Sequence, residues 1–259
     1  MSRPPHWRFP PGVNPALWEY TTSVRLAQEE ADYFAEDPLT RADEVILHDY
    51  FRVPCRLIDL GCGVGRLSLA FSRRDFSVTA VDLSAAMLEA LGRSAAAEGL
   101  WIDRIRANLC RLEGLSDASF DAAICMYSTL GMISGTQARQ SALASARRVL
   151  RPEGVLALHA HNFWLNLRDR QGRAWLLGEM GRQVIGKGTG DRQMTYRGIP
   201  GIEVHLYQWP ELRSDLIRAG FRITKVVALD SVTAQPIRWP QLLQGLRAGG
   251  WIVFAKRVS

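Results

Sequence analysis

The stretch LIDLGCGVGR, residues Leu57–Arg66, places three glycines and an acidic residue directly behind a short apolar run. Because glycine has no Cβ, it adopts positive φ angles and lets a ligand or another backbone come close to the main chain. The residues that follow, with Leu67, Leu69 and Phe71, form a segment of helical period. The stretch therefore predicts a strand, a glycine turn and a helix; the alternative interpretation is a turn with a structural role only.

Apolar runs of strand length alternate with helical segments along much of the chain. The predicted strands are CRLIDL, SVTAVDL, IDRIRANL, FDAAICMYS, GVLALHAH, FRITKVVALD and WIVFAKRV. A helix over WPELRSDLIRAG is expected to end at Gly220. This alternation predicts an α/β fold, a doubly wound parallel sheet with helices on both faces.

Two segments interrupt the alternation. The first is an N-terminal helical cap over residues 1–54, with helices in NPALWEYTTSVRLAQEEADYFAED and LTRADEVILHDYF. The second is an insertion over residues 162–208 on the expected substrate side. Residues 55–161 and 209–259 then form a cofactor-binding core with one continuous sheet, and the whole chain is expected to be one domain.

Composition narrows the class of protein. A chain of 259 residues, 47% of them hydrophobic, is long enough to bury a full core. It has no apolar run of about 18 residues, and its prolines and charges at the N-terminus are unlike a secretory signal, so we expect a cytoplasmic protein without a membrane partner. The cysteines lack CxxC spacing and are expected to be free thiols, not metal ligands: Cys55, Cys62, Cys110 and Cys125.

The glycine turn is expected to bind a nucleotide-like ligand, because ligands of open parallel sheets lie beyond the carboxyl ends of the strands. The next predicted strand ends in Asp82, where a carboxylate would reach two ribose hydroxyls. The alternative for Asp82 is a helix cap, although Ser84 is better placed for that role. A dinucleotide fingerprint needs a sixth-position glycine, and the sequence has Arg66 there.

The segment from Asp59 to Gly65, DLGCGVG, resembles the first motif of the class I S-adenosylmethionine-dependent methyltransferases. Four further segments resemble the same family: AVDLS, RANLCRLEGLSDASFDAAICMYSTLGMI, ARRVLRPEGVLALH and ELRSDLIRAGFRITKVV. Together they cover about residues 55–160 and 209–258. The resemblance implies a seven-stranded, mostly parallel, Rossmann-like sheet with a reversed C-terminal strand.

The resemblance also implies which residues hold S-adenosylmethionine: Asp59, Gly61, Cys62, Gly63, Gly65, Asp82, Leu83, Met87, Asn108, Leu109, Met126 and Tyr127. Asp59 and the glycine turn would hold the methionine moiety, and Asp82 would hold the ribose. The adenine would be held by Leu83, Met87, Asn108 and Leu109. The family often has aspartate at the position of Asn108, whose amide oxygen still accepts a hydrogen bond. Met126 and Tyr127 would lie nearest the sulfonium; core packing is their alternative role.

Methyl transfer needs alignment of the acceptor with the methyl group, and an oxygen or nitrogen acceptor also needs a base. His161 ends the fifth predicted strand and, with the ordinary histidine pKa near 6.5, is a candidate base or acceptor-orienting residue. His205 is a second candidate catalytic residue. His159 has the same parity as His161 and is expected in the core; no carboxylate or cysteine accompanies the pair at metal-ligand spacing, so no metal is expected.

The two added segments are expected to determine substrate specificity. The candidate substrate-binding residues are Trp18, Tyr20, Asn162 and Tyr207, with core packing as the alternative for the N-terminal pair. Aromatic residues alternate with arginines in the insertion, which favours either a lid over a small molecule or a surface that stacks on RNA bases. A third interpretation is an amphipathic helix followed by an antiparallel hairpin that extends the sheet.

The sequence thus predicts an S-adenosylmethionine-dependent methyltransferase that acts on a small-molecule acceptor. The first alternative is a methyltransferase of RNA, such as a tRNA base. For this alternative the net charge of +6 is suggestive, but the basic residues are scattered and not gathered in a run. The second alternative is a non-catalytic partner subunit that binds S-adenosylmethionine.

Overall fold

The computed structural model describes residues 9–35, 37–239 and 243–258. Residues 1–8 and 36 of the expected cap, and residues 240–242 and 259 of the expected core, lie outside the described residues. The strands are β1 Arg56–Leu60, β2 Ser77–Asp82, β3 Asp103–Arg106, β4 Phe120–Cys125, β5 Leu150–His161, β6 Asp191–Tyr196, β7 Ile199–His205, β8 Phe221–Leu229 and β9 Gly250–Arg257.

Helices precede, connect and follow these strands, and they are α1 Pro15–Thr22, α2 Val24–Ala35, α3 Pro38–Tyr50, α4 Arg66–Ser72, α5 Ala85–Ala97, α6 Thr129–Met132, α7 Thr136–Val149, α8 Arg170–Val184, α9 Trp209–Arg218 and α10 Gln244–Arg247. A short 3-10 helix spans Phe163–Leu167. Helix α9 ends just before Gly220, whose φ of 82° confirms the predicted glycine stop.

The main sheet has seven strands in the order β3-β2-β1-β4-β5-β9-β8. Strand β9 runs antiparallel to both of its neighbours, and the remaining pairs are parallel. The predicted seven-stranded, mostly parallel sheet with a reversed C-terminal strand is therefore confirmed. The order reverses between β1 and β4, and the carboxyl ends at such a reversal form a crevice for ligands.

Both faces of the main sheet are buried. Because successive side chains of a strand point to opposite faces, neighbouring residues of one strand belong to two different clusters. Ile58 and Leu60 of β1 belong to an apolar cluster that includes Leu143 of α7 and Leu212 of α9. Leu57 belongs to a second cluster with residues of α3, α4 and α5. Burial on both sides explains why every residue of β1 after Arg56 is buried.

The cap and the insertion meet in a third apolar cluster, separate from the two that flank the sheet. Ala16 of α1 and Leu26 of α2 pack there with Phe163, with Leu176 of α8 and with Ile202 of β7. Strands β6 and β7 form a two-stranded antiparallel sheet of their own. The expected helix and hairpin are present. The expectation that the hairpin extends the main sheet was wrong, because β6 and β7 pair with each other in a separate sheet and pack on the cap.

Within the described part of the chain, no helix has both the length and the apolar composition that crossing a membrane requires. Each of the four cysteines is a free thiol, as their spacing predicted.

Candidate functional site

The glycine turn connects β1 to α4 and is held by backbone hydrogen bonds. The amides of Gly61 and Cys62 donate to the Val81 carbonyl at 2.8 and 3.1 Å. Gly61 has a φ of 78°, and a Cβ at this position would lie 2.3 Å from Cγ2 of Thr129. The turn therefore needs glycine at position 61 for its backbone conformation and for the close approach of α6.

Gly63 occupies the side of the turn that faces a cavity. A Cβ placed on it would have only Glu30 Oε1 within 4 Å, at 3.4 Å. Gly65 differs, because its Cβ would lie 2.2 Å from Leu91 Cδ1. The structure thus places Gly63 at the cavity and Gly65 against helix α5, away from the cavity lining.

Asp82 stands at the end of β2 and holds the turn from the other side. Its Oδ2 accepts from the Gly63 amide at 2.9 Å, and its Oδ1 accepts from the Ser84 amide at 2.8 Å. Burial raises the pKa of this carboxyl, and the hydrogen bonds from Ser84 and Gly63 oppose the shift. Ser84 is the N-cap of helix α5, and its hydroxyl accepts from the Met87 amide, so the cap is formed by Ser84 and not by Asp82.

Asp59 lies beneath the turn, buried in β1. Its Oδ2 accepts a 2.7 Å hydrogen bond from the Ser68 hydroxyl. Burial raises its pKa to about 7, against the opposing hydrogen bond from Ser68 and the charge of Arg66. Arg66 is itself bonded to both carboxylate oxygens of Asp43. A cationic ligand near Asp59 would therefore favour its ionised form.

A cavity of about 190 Å³ opens above this turn. Every residue expected to hold the cofactor lines it, with the exception of Gly65: Asp59, Gly61, Cys62, Gly63, Asp82, Leu83, Met87, Asn108, Leu109, Met126 and Tyr127. The lining also includes residues from the cap and the hairpin, among them Tyr20, Glu30 and Tyr196. The carboxyl ends of β1, β2 and β4 and the two added segments thus enclose one space.

Asn108 has a structural role in addition to its place at the cavity. Its Oδ1 accepts from the Cys110 amide at 2.8 Å, and its Nδ2 donates to the Pro11 carbonyl at 2.8 Å. The Gly12 carbonyl accepts from the Ser134 amide at 2.8 Å, so two contacts fix the N-terminal segment at the cavity rim. One lone pair of Asn108 Oδ1 is therefore already used within the protein.

Tyr20 and Trp18 of helix α1 have different surroundings. Tyr20 lines the cavity, and its hydroxyl lies 3.1 and 3.2 Å from the two carboxylate oxygens of Glu30. Trp18 packs on the ring of Phe9 with a centroid distance of 5.8 Å and does not line the cavity.

Tyr127 separates the first cavity from a second one of about 250 Å³ and lines both. Its backbone has a φ of 52°, and its hydroxyl donates to Asp37 Oδ2 at 2.6 Å. The second cavity lies at the carboxyl ends of β5 and β8 and is lined by polar residues that include His159, His161 and Ser231. The side chain of His159 is buried, and its Nδ1 has no hydrogen-bond partner.

His161 lies in this second cavity, with its ring 4.9 Å from that of His159. Burial lowers its pKa to about 4, although the charge of Asp37 acts in the opposite direction. The ordinary pKa near 6.5 that the sequence suggested therefore does not apply. At neutral pH the imidazole is uncharged, and each ring has one nitrogen that accepts a hydrogen bond.

His205 lies outside both cavities in a buried charged network. Its Nδ1 is 2.7 Å from Asp191 Oδ1, and its Nε2 is 2.8 Å from Glu211 Oε1. Burial opposes its charge, but these two hydrogen bonds outweigh burial, so its pKa lies above the usual value. Tyr207 is fully buried, with its ring 4.4 Å from that of His205. These contacts account for both residues as parts of the packing between the hairpin and α9.

Asn162 is also fully buried and lines neither cavity. Its Nδ2 donates to the carbonyls of Gly245 and Ala248, each at 2.7 Å, and its Oδ1 accepts from the Trp164 amide. The side chain therefore caps the 3-10 helix and fixes the loop that precedes β9.

Sequence reasoning missed several residues that line the first cavity, notably Glu30, Thr40, Thr129 and Tyr196. Thr129 begins helix α6 shortly after the end of β4, and its place just beyond a strand end was an available signal. Glu30 carried none, because a glutamate within a helix ordinarily faces solvent.

Comparisons with known proteins agree with this geometry. A family model for a methyltransferase domain matches residues 57–154. The ubiquinone biosynthesis O-methyltransferase of Histophilus somni (strain 2336) is 31% identical over 144 residues, 52% of this chain and 56% of that protein. The chain spans about half the length of the curated relatives it matches.

Two solved structures share the fold. An S-adenosylmethionine-dependent methyltransferase from Methanosarcina mazei is similar with a TM-score of 0.66 at 22% identity, covering 82% of this chain and 97% of that chain. The 1,6-didemethyltoxoflavin N1-methyltransferase of Burkholderia thailandensis, solved with S-adenosylhomocysteine, has a TM-score of 0.59 at 20% identity and covers 91% and 85%. Residues 57–154 thus match a methyltransferase domain, and the sheet order is that of the class I S-adenosylmethionine-dependent methyltransferase fold.

Proposed function

We propose that this protein binds S-adenosylmethionine and transfers its methyl group to a small molecule. The observation that carries the proposal is the Asp82 carboxylate, which lies at the end of β2 beside the glycine turn and lines the first cavity. Each of its oxygens accepts one backbone hydrogen bond and keeps a further lone pair. That arrangement suits a ribose diol.

The rest of the lining fits the other parts of the cofactor. Leu83, Met87 and Leu109 provide an apolar slot for the adenine. Asp59 and Glu30 place two carboxylates in the same cavity, which favours a ligand with positive charge. Bound S-adenosylmethionine would supply a methyl group already activated on a sulfonium, so the main task of the protein is alignment, worth up to about 7–11 kcal/mol in well-oriented reactions.

We further propose that the acceptor binds in the second cavity and reaches the methyl group past Tyr127. His161 is placed there to orient it, because a neutral imidazole accepts a hydrogen bond from a hydroxyl or an amine. With a pKa of about 4, His161 is a weak base at neutral pH. Its proposed role is therefore to orient the acceptor and not to remove a proton from it. The buried Nδ1 of His159 and hydroxyl of Ser231 offer two further unpartnered groups for a polar ligand.

The charges of the two cavities support a small neutral or cationic acceptor more than RNA. Among the described residues that line them, Arg66 is the one arginine or lysine, and it is bonded to Asp43. Phosphate groups would need basic partners in the site. The Burkholderia thailandensis neighbour, whose name gives a small-molecule activity, supports the same choice. In this proposal the cap over residues 1–54 and the insertion over residues 162–208 enclose the substrate above the core.

Calorimetric titration tests cofactor binding. S-adenosylmethionine and S-adenosylhomocysteine should bind with one site per chain, and NAD should not bind. Incubation with labelled S-adenosylmethionine and fractionated cell extract should then place the label in a metabolite, with the same yield after ribonuclease treatment. Binding of NAD in place of S-adenosylmethionine contradicts the cofactor assignment. Label in RNA contradicts the acceptor class.

The His161→Asn variant tests the acceptor site once a labelled product is in hand. Cofactor affinity should stay within about twofold, because His161 does not line the first cavity, whereas turnover should fall at least about tenfold. His48→Asn is a matched control, since His48 lies on α3 and lines neither cavity. Equal turnover in both variants would remove His161 from the acceptor site.

A further inference from the structure

We propose that Glu30 binds the α-ammonium group of the cofactor and thereby couples the cap and the hairpin to cofactor binding. Glu30 belongs to helix α2, outside residues 57–154 that match the methyltransferase-domain model. The inference rests on the proposed function, because it assigns one further residue to the same cofactor site.

The position of Glu30 points to the methionine end of that site. The side chain is buried, with 5% of the residue exposed, and it lines the first cavity. Its Oε1 would lie 3.4 Å from a Cβ on Gly63, the part of the glycine turn that faces the cavity. In the proposed binding mode this turn holds the methionine moiety, so the carboxylate and the α-ammonium group would meet there.

The charge of the site favours a cation beside Glu30. Asp59 and Asp82 line the same cavity, and the charge of Asp82 contributes to the raised pKa of Glu30. Burial is the main cause of that shift, which brings the pKa of Glu30 to about 7 against the opposing effects of Arg197 and Tyr20. An ammonium group has three donors and would stabilise the ionised carboxylate. Arg66, which also lines the cavity, is already bonded to Asp43.

Glu30 also connects the two added segments. The Tyr20 hydroxyl of α1 donates to its carboxylate, and the Arg197 guanidinium from the turn between β6 and β7 forms an ion pair with its Oε2. Arg197 is nearly fully buried at this contact. A ligand that fixes the Glu30 carboxylate in its ionised form therefore strengthens the contacts that hold the hairpin against the cap.

The alternative is that Glu30 forms only a structural ion pair with Arg197 and does not contact the ligand. Two natural nucleosides distinguish this structural role from the proposed binding role. S-adenosylhomocysteine carries the α-ammonium group, and 5′-methylthioadenosine has the same adenine, ribose and thioether without the amino acid. In the Glu30→Gln variant, the Kd of S-adenosylhomocysteine should rise about tenfold or more. The Kd of 5′-methylthioadenosine should change less than about twofold. Glutamine has the same shape, and a melting curve checks that the variant is folded.

Glu29→Gln is the matched control. Glu29 is the neighbouring residue on the same helix, half exposed, and its Oε2 lies 3.6 Å from Arg197. Both ligands should bind this variant as they bind the unaltered protein. Hydrogen exchange gives a second readout: S-adenosylhomocysteine, but not 5′-methylthioadenosine, should slow exchange in β6 and β7, and Glu30→Gln should abolish the difference.

An unchanged Kd for S-adenosylhomocysteine in folded Glu30→Gln overturns the inference and leaves the proposed function standing. An equal loss for both ligands also overturns it, because Glu30 would then act on the shape of the whole cavity. Failure of the unaltered protein to bind either nucleoside or S-adenosylmethionine contradicts the proposed function itself, and the inference falls with it.

Discussion

The hydroxyl of Tyr127 donates a 2.6 Å hydrogen bond to Oδ2 of Asp37 and so joins the end of β4 to the start of α3. Oδ1 of the same carboxylate accepts from the Leu39 amide and caps the helix. Since Tyr127 lines both cavities and Asp37 lines the second, this pair is the wall between them.

Tyr127→Phe tests the role of that wall. The variant loses the hydrogen bond but keeps the ring, so the free energy of unfolding should fall by about 1 kcal/mol and cofactor affinity should stay within about twofold. Urea denaturation and calorimetry measure the two quantities. Tyr50→Phe is the control, because the contact of the Tyr50 hydroxyl with Thr224 is exposed at the surface and long, at 3.4 Å. An equal stability loss in both variants would show that the Asp37 contact contributes nothing.

Asp82→Ala should affect stability as well as binding. The change leaves the amides of Gly63 and Ser84 without their acceptor, which costs about 1–3 kcal/mol in the free energy of unfolding. The affinity for S-adenosylmethionine should fall roughly 10- to 100-fold, because the ribose loses its partner. Asp103→Asn, at an exposed position in β3, should change neither. Unchanged affinity in folded Asp82→Ala would remove the ribose assignment.

Gly61→Ala should destabilise the glycine turn through contact with α6. The new Cβ would lie 2.3 Å from Thr129 Cγ2, and overpacking of this kind costs about 1–3 kcal/mol, to which the positive φ adds about 1 kcal/mol. Adding Thr129→Ser removes the clashing methyl group, so the double variant should recover part of the loss. A double-mutant cycle in urea measures the coupling. Strictly additive losses would show that the backbone conformation alone requires glycine.

His205 should make stability depend on pH between the neutral and alkaline ranges. Both ring nitrogens face carboxylates, an arrangement that only the doubly protonated imidazolium satisfies with two donors. Because its pKa is raised on folding, its contribution is fully present below the unfolded value of about 6.5 and is lost as pH rises through the folded pKa.

The free energy of unfolding at about pH 6 and about pH 9 checks this dependence. The unaltered protein should lose more stability over that interval than His205→Gln does. His48→Gln is the control, because burial and Arg74 lower the pKa of His48. Its titration therefore lies mostly below the tested interval, and this variant should lose as much stability between the two pH values as the unaltered protein does. The contribution of His48 to the free energy of unfolding is present above its unfolded pKa and is lost as pH falls through its folded pKa. Identical curves for His205→Gln and the unaltered protein would contradict the charged state of His205.

Patterns of hydrophobicity and turn chemistry predicted the main sheet because both act locally. The strand that ends at Asp82, the glycine turn after Leu60 and the helix stop at Gly220 follow from backbone geometry and burial on two faces. The hairpin was harder to place. Its residues Ile199 and Ile202 are buried against the cap. Whether such residues pack on the cap or on the main sheet depends on tertiary contacts, which the local sequence pattern does not specify.

The site was predictable where a residue stands at the end of a strand. Asp82, Met126 and Tyr127 line the cavity for that reason. The roles of Glu30 and His161 depend on contacts distant in sequence: Arg197 meets Glu30, and burial lowers the pKa of His161. Neither the solvation of a group nor its partner across the fold is encoded in local spacing.

The shared apolar cluster of the cap and the hairpin also has a kinetic consequence. Leu26 and Ile202 hold the two segments to one another, whereas the sheet has its own two clusters. A unit of this kind opens as a whole, with a free energy below that of global unfolding. Tyr20 and Tyr196 of this unit line the first cavity. We therefore expect the opening rate of the cap and hairpin to determine the dissociation rate of a molecule bound there.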